Sequence, residues 1–293
     1  MDNWDEVRTA YQVARLGTVS GAAEVLGVHH ATVIRHVDAL EQRLGVKLFQ
    51  RHARGYTATE AGQELLLVAQ ATEDQFSQLA NRIRGRGRSV SGELVVTSIP
   101  GLARVISPSL SRFQLDHPEV VVRYLTGERL FRLEYGEAHV AIRSGSAPEQ
   151  PDNVVQPFLR QQFGLYASEG YEKRHGVPAS LQDFASHRFV GTDDAQTRAP
   201  FGRWLRAHVG EAQITYRYTD LWAGVEAIRA GAGIGFVAVR DALTMDDLVE
   251  VMAPRPEWEV PLWLVTHVDL HRTNKVQALL NHLKADSRNW QGF

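Results

Sequence analysis

The sequence predicts an α+β chain of several domains, a helical N-terminal part followed by a larger α/β part. Three observations carry this. The chain has 293 residues, enough for two domains at roughly 150 residues each. Residues 1–90 show helical periodicity and few strand signals, whereas 91–293 alternate short β-rich runs with helical stretches. Between them, Arg84-Gly85-Arg86-Gly87-Arg88-Ser89-Val90-Ser91-Gly92 holds glycine and serine that do not sustain a helix, which places a boundary at about 88–91.

Composition narrows the function classes. No cysteine is present, so disulfides, thiolate metal sites and thiol nucleophiles are excluded. The formal net charge of -2 does not suit a general nucleic-acid coat, so DNA binding would need a local basic surface. Residues 29–56 supply one: Arg35, Arg43, Lys47, Arg51 and Arg54 against Asp38 and Glu41, net +3. The acidic start, without an apolar core, is not a signal peptide. No run reaches the roughly 20 apolar residues of a membrane span. The expectation is a cytoplasmic protein, not an exported solute carrier.

In the first helix Trp4, Val7, Tyr11 and Ala14 recur on one face. Thr18 is placed to cap a second helix, in which Ala22 and Ala23 permit close helix approach. Gly27 suits a turn of positive φ. A third helix begins near His29 with an apolar ridge of Val33, Val37, Leu40 and Leu44. At about 100° per residue, Arg35 lies nearly opposite that ridge, with Ala31 and Asp38 beside it and Thr32, Ile34 and His36 on the flanks. Two helices, a glycine turn and a polar outer face describe a helix-turn-helix, whose second helix fits the major groove of B-DNA. A three-helix packing module with a solvated outer face has the same pattern.

The residues also resemble a known family. Ala22-Ala23-Glu24-Val25-Leu26-Gly27-Val28, Val33, Leu40-Glu41-Gln42-Arg43-Leu44-Gly45-Val46-Lys47-Leu48-Phe49-Gln50-Arg51 and Gly55-Tyr56-Thr57-Ala58-Thr59-Glu60-Ala61-Gly62 form a long composite motif similar to that of the LysR-type transcriptional regulators. The likeness extends more weakly through the rest of the chain. It implies a winged helix-turn-helix over 1–58, a linker and dimerisation helix over 59–88, and a two-lobed effector-binding domain over 92–293. Lobe I is expected at about 92–160 plus 266–293 and lobe II at about 161–265, as in periplasmic solute-binding proteins. The chain departs from the family at His29, where Ser is usual, at His30 and Ala31, often Gln and Pro, and at Ile34, very often Ser. Ile34 either touches a thymine methyl or packs against the second helix. The DNA-binding set expected is Thr18, His29, His30, Thr32, Ile34, Arg35 and His36, with Arg51 and Arg54 flanking the wing turn to reach phosphates.

After the wing, Thr59 is placed to cap a helix running to about 84–86, roughly 42 Å long. Leu65, Val68, Phe76, Leu79 and Ile83 mark its apolar stripe. A long helix buries such a stripe best against a partner, so a homodimer is expected, with packing against its own chain as the alternative. Two reading heads imply an approximate inverted repeat in double-stranded DNA. The resemblance adds a dimer of dimers and RNA polymerase as further candidate partners.

Downstream, strands are expected at 94–98, 120–125, 140–143, 163–167, 189–191, 214–218, 234–239 and 262–266, with helices at 102–116, 127–136, 199–209 and 221–231. This reads as a doubly wound fold in two lobes, crossed near 160 and 265. Ligands in such folds sit beyond the carboxyl ends of strands. The rule selects Ser98, Ile99, Pro100, Thr126, Gly127, Arg143 and Ser144 from one lobe and Thr192, Asp193, Thr219 and Phe236 from the other. Arg143 is the one cation among them, read either as a carboxylate partner or as a salt-bridge residue. His139 stands where the family usually carries Asp.

An enzyme is not expected. Gly231-Ala232-Gly233-Ile234-Gly235 follows a helix and precedes a strand, the reverse of a dinucleotide motif. No nucleophile elbow or P-loop appears. His267 and His271 are four apart but lack the zincin glutamate, and no metal or cofactor is expected. The reading is a sequence-specific DNA-binding regulator modulated by an unidentified small-molecule effector. The alternative is a small-molecule binding protein whose N-terminal module serves only oligomerisation.

Overall fold

The computed structural model describes residues 3–52, 55–83, 90–127 and 129–293, and their side chains except at 74, 77, 78, 80–83 and 135. The N-terminal part holds α1 (Trp4–Leu16), α2 (Val19–Leu26), α3 (His30–Leu44), a hairpin of β1 (Phe49–His52) and β2 (Gly55–Ala58), and α4 (Glu60–Ile83). The Thr18 hydroxyl caps α2 by accepting from Gly21 N–H at 3.1 Å. His29 precedes α3 without a capping side-chain bond. Val33, Val37 and Leu40 are buried against Val7, Ala10, Val13, Ala22 and Leu48. Leu44, the fourth ridge residue, is instead exposed, as is Trp4.

The hairpin is the wing. Tyr56 N–H donates to the Gly17 carbonyl at 2.8 Å, which ties the wing to the turn between α1 and α2. Gly55 has φ +142, and a Cβ there would stand 2.4 Å from the Gly17 oxygen, so only glycine fits.

Thr59 caps α4 by accepting from Gly62 N–H at 3.2 Å. The helix has 24 residues, a length of roughly 36 Å. Its apolar residues divide among three surroundings. Leu65 is half-buried against the core of its own winged module and also lines the apolar groove beside α1. Leu67 and Ala71 are buried with Leu270 of the C-terminal part. Val68, Phe76 and Leu79 remain exposed. The side chain of Ile83 and the boundary at 84–89 lie outside the described residues.

The C-terminal part runs β3 (Gly92–Ser98), α5 (Ala103–Asp116), β4 (Val120–Thr126), β5 (Val140–Ser144), β6 (Asn153–Gln161), β7 (Phe163–Ser168), α6 (Glu169–His175), β8 (Phe189–Thr192), α7 (Pro200–His208), β9 (Ile214–Tyr218), α8 (Leu221–Arg229), β10 (Gly235–Ala238), α9 (Val239–Ala242), β11 (Leu248–Met252), β12 (Val260–His267), α10 (Val268–His271) and α11 (Asn274–Asp286). All eight expected strands are present. The expected helix at 127–136 is not. There Glu137 accepts from Arg132 N–H at 2.8 Å and pairs with Arg129, and Gly136 takes φ +66. These local bonds compete with a helix and leave only a short 3₁₀ turn at Leu133–Tyr135.

Lobe I is a sheet of order β4-β3-β5-β12-β6, and lobe II joins β10-β7-β11 to β8-β9 through a bridge between Phe189 and Ile234. Both sheets combine parallel and antiparallel pairs. β12 pairs antiparallel with β5 and β6, because it enters lobe I on the chain's return from lobe II. The first crossing falls at Gln162, near the expected 160. The whole of β12 belongs to lobe I, so the return crossing lies between Met252 and Val260 and not at 265. Lobe I packs on Ile106, Phe113, Leu279 and Leu283, and lobe II on Phe163, Phe189, Phe236 and Trp258.

Candidate nucleic-acid interface and cleft

The ridge of α3 is buried, so its opposite face is presented outward. His29, His30, Ala31 and Arg35 are exposed, and Thr32 is half-buried. No described residue partners Arg35, which leaves its full fork of donors available. Two flank residues lean inward. Ile34 is half-buried and packs against the module's core. The Thr9 hydroxyl donates to the Asp5 carbonyl at 2.6 Å, so its 3.0 Å contact with His36 Nδ1 is one in which the ring donates. His36 is thereby turned toward α1 and does not stand free on the outer face.

The wing is docked onto α3 by Glu41. Its buried carboxylate accepts from Leu48 N–H at 2.9 Å and Phe49 N–H at 3.2 Å, and pairs with Lys47 at 2.7 Å. Burial pushes this carboxyl up, but the Lys47 ammonium and the two backbone donors outweigh it and hold it below the usual carboxylate range. Arg51 pairs with Asp38, lies 3.3 Å from Glu41 and stands over the Tyr56 ring at 5.3 Å. Its charge is therefore engaged within the chain by a half-exposed ion pair with Asp38. Arg54 lies outside the described residues. Thr18 is engaged as a helix cap.

At the cleft, lobe I supplies the end of β3. Ser98 Oγ donates to the Ile99 carbonyl at 2.9 Å and lies 2.5 Å from the Tyr124 hydroxyl. Gly127 N–H donates to the Ser98 carbonyl at 3.2 Å, and Pro100 opens the 3₁₀ turn that leads into α5. Thr126 is exposed at the end of β4. Lobe II answers with the start of α8, where exposed Thr219 precedes the cap Asp220. Thr192 accepts from Asp194 N–H at 3.2 Å, and Asp193 N–H donates to the Tyr218 carbonyl at 2.8 Å. The lobes touch where Leu221 meets Gly101 and where the Arg104 guanidinium stands 3.8 Å over the Trp222 ring.

Two expected cleft residues are elsewhere. Ser98 pairs with Ile142 and shares its sheet face, while Arg143 is on the other face opposite Trp263. Arg143 donates to the Phe131 carbonyl at 2.5 Å, and burial lowers its pKa against the pull of Glu134 and Glu137. Phe236 is 4% exposed and packs edge-on against Trp258, so it is a core residue. Ser144, half-buried, pairs with Leu262 beside Arg143. Sequence reasoning missed Tyr124, Arg104, Trp222 and Arg240. Tyr124 shares the face of Val120 and Val122 by strand alternation and was there to be found. A lone arginine after β10 carries no such signal.

Residues 4–63 match the model of the bacterial regulatory helix-turn-helix proteins of the lysR family, and residues 87–288 match the LysR substrate binding domain. The chain belongs to the LysR family. Among curated relatives, the transcriptional regulator IlvY of Escherichia coli is 30% identical over 239 residues, 79% of this chain and 80% of that protein. The probable regulator LtrA of Klebsiella pneumoniae is 26% identical over 284 residues, covering 93% and 91%. Two solved structures share the fold. The LysR-type regulator CrgA of Neisseria meningitidis aligns with TM-score 0.61 at 20% identity, covering 99% of this chain and 100% of that one. LysG of Corynebacterium glutamicum, solved with bound effector Arg, aligns with TM-score 0.70 at 16% identity, covering 98% of each. This LysR-type chain is thus a transcriptional regulator with a helix-turn-helix DNA-binding domain and an effector-binding domain. LysR proteins form a family of regulators, not of enzymes. Among the described residues no helix is long and apolar enough to cross a membrane, and no cluster of His, Asp and Glu is grouped to hold a metal ion.

Proposed function

We propose that this LysR-type regulator reads an approximate inverted repeat as a homodimer, through His30, Thr32 and Arg35 on the outer face of α3. The observation that carries it is the exposed Arg35, unpartnered among the described residues, opposite the buried Val33, Val37 and Leu40. Arg35 reaches base edges or phosphates, and His29 and His30 lead the helix into the groove. Two copies associate through an apolar groove of about 820 Å³ between α1 and α4, lined by Trp4, Val7, Leu44, Val46, Val68 and Phe76. Exposed apolar surface of this kind is what a partner helix covers. A small-molecule effector binds between the lobes and shifts their orientation, which requires different affinity in two assembly states. The dimer acts in the cytoplasm, alone or as a pair of dimers, and RNA polymerase is the partner that such a site-bound assembly recruits or occludes.

Arg35→Ala tests the reading head. On a duplex selected by the wild type, the variant is expected to lose about 1–3 kcal/mol of specific binding, with its melting temperature unchanged. Unchanged affinity at physiological salt would show that another face reads the DNA.

A further inference from the structure

Arg240 lies where the two lobes meet, beside the hinge. It follows β10 directly, and its neighbour Val239 N–H donates to the Gln162 carbonyl at the crossing between β6 and β7 (3.0 Å). The arginine is 6% exposed. Its Nη2 donates across the lobes to the Gly101 carbonyl, and Nε and Nη2 each lie 3.3 Å from an Asp241 oxygen. Nη1 is buried and has no hydrogen-bond partner among the described residues. A buried guanidinium nitrogen without an acceptor is unfavourable, and buried charges are ordinarily paired.

Arg240 and Arg104 both act on the carboxylate of Asp241, and the Arg240 guanidinium also stands 5.2 Å from the Phe293 ring centroid. Arg240 is also close enough to act on the phenol of Tyr124, which is paired with Ser98. A neutral carbonyl such as that of Gly101 is a weaker partner for a guanidinium than a charged oxygen.

We infer that the effector carries an oxyanion, a carboxylate or a phosphate group, which Arg240 takes on Nη1 beside Ser98 and Tyr124, while Nη2 stays on the Gly101 carbonyl. This rests on the reading that the effector binds between the lobes. Arg143, the cation expected there from the sequence, is held on the opposite face of the sheet.

The test uses the full-length protein and two simple probes, sodium acetate and sodium phosphate, each against sodium chloride at equal ionic strength. The wild type is expected to show a saturable rise in Tm of about 2–4 °C with at least one probe. Acetate alone identifies a carboxylate site and phosphate alone a phosphate site. Arg240→Lys keeps a cation beside Asp241 but loses the fork, and Arg240→Gln combined with Asp241→Asn leaves neither charge unpaired. Both are expected to weaken the probe's Kd at least about tenfold. No saturable shift with either oxyanion overturns the proposal, and so does a shift that survives in both variants. Ser98→Val separates the two readings. A shift lost there but kept in the Arg240 variants leaves the cleft standing and removes the role of Arg240. A shift kept in all of them moves binding out of the cleft.

Discussion

Glu41 shows how one side chain joins sequence pattern to the reading head. It follows Leu40 on the buried ridge of α3, and its carboxylate accepts two backbone N–H groups of the segment that opens the wing. Replacing it with Gln at pH 7 is expected to lower stability by about 1–3 kcal/mol, read by urea unfolding, because the charge leaves two donors and Lys47 poorly matched. The Glu41 carboxyl is depressed in the folded protein. Its contribution is therefore present above the ordinary carboxylate pKa and lost as pH falls through the lower folded value. Thermal melts from pH 6 to pH 3 are expected to converge for wild type and Glu41→Gln at the acid end. A gap that stays constant would contradict this role. The sequence displayed Arg35 correctly because its exposure follows from helical phase alone. It did not display the engagement of Arg51 by Asp38 and Glu41, which depends on the wing folding back over α3. Phe236 misled for a related reason: strand ends were read as cleft, but this position faces the lobe II core.

Among the elements, α4 carries the most varied duties, since it serves its own head, its own effector domain and an open face at once. A single apolar stripe in the sequence cannot say which of its residues meets which surface, and Leu65 both borders the open groove and packs on its own module's core. Two substitutions separate the faces. Phe76→Asp with Leu79→Asp is expected to dissociate the dimer in sedimentation while each protomer stays folded, because Phe76 is 56% exposed in the single chain. Leu65→Asp is expected instead to unfold the winged module. Retained dimers in the first variant would refute the linker interface. The same helix is bolted to lobe I through His139, which is 1% exposed. Val95 N–H donates to its Nδ1 at 2.9 Å, so the ring proton sits on Nε2 and is given to the Gln70 amide at 2.9 Å, whose oxygen must face it. Burial, helped by Lys275 and Arg123, holds this histidine well below its ordinary pKa and hence neutral. The unfolded chain binds a proton below about pH 6.5 that the folded one refuses, so His139 makes stability fall with acidification by about 1.4 kcal/mol per pH unit in that range. Denaturant melts at pH 7 and pH 5.5 are expected to differ less in His139→Asn than in the wild type. Equal pH dependence in both would place the buried neutral histidine in doubt. The sequence marked His139 as a departure from its family but held no sign of Gln70, 69 residues away.

At the scale of the whole molecule, a reading head and a two-lobed ligand domain meet along one helix. The two-part organisation was legible because hydrophobic period changes from helical to alternating across a glycine-rich junction. The eight strands were legible as β-branched runs. Their mixed pairing was not, because β12 closes the lobe I sheet only after an excursion of about a hundred residues through lobe II, and local pattern holds no record of that return. α11 was missed although Val276, Leu279, Leu280 and Leu283 repeat at helical spacing and are buried, so its signal was present and unused. The central claim is that the outer face of α3, presented twice by a dimer, reads DNA sequence. Selection from a random duplex pool at about 150 mM salt, with the full-length protein, tests it most directly. The account predicts an enriched approximate inverted repeat, with half-sites spaced by whole turns of the helix. Weak binding without enrichment, vanishing as salt rises, would contradict it and reduce the interface to phosphate attraction.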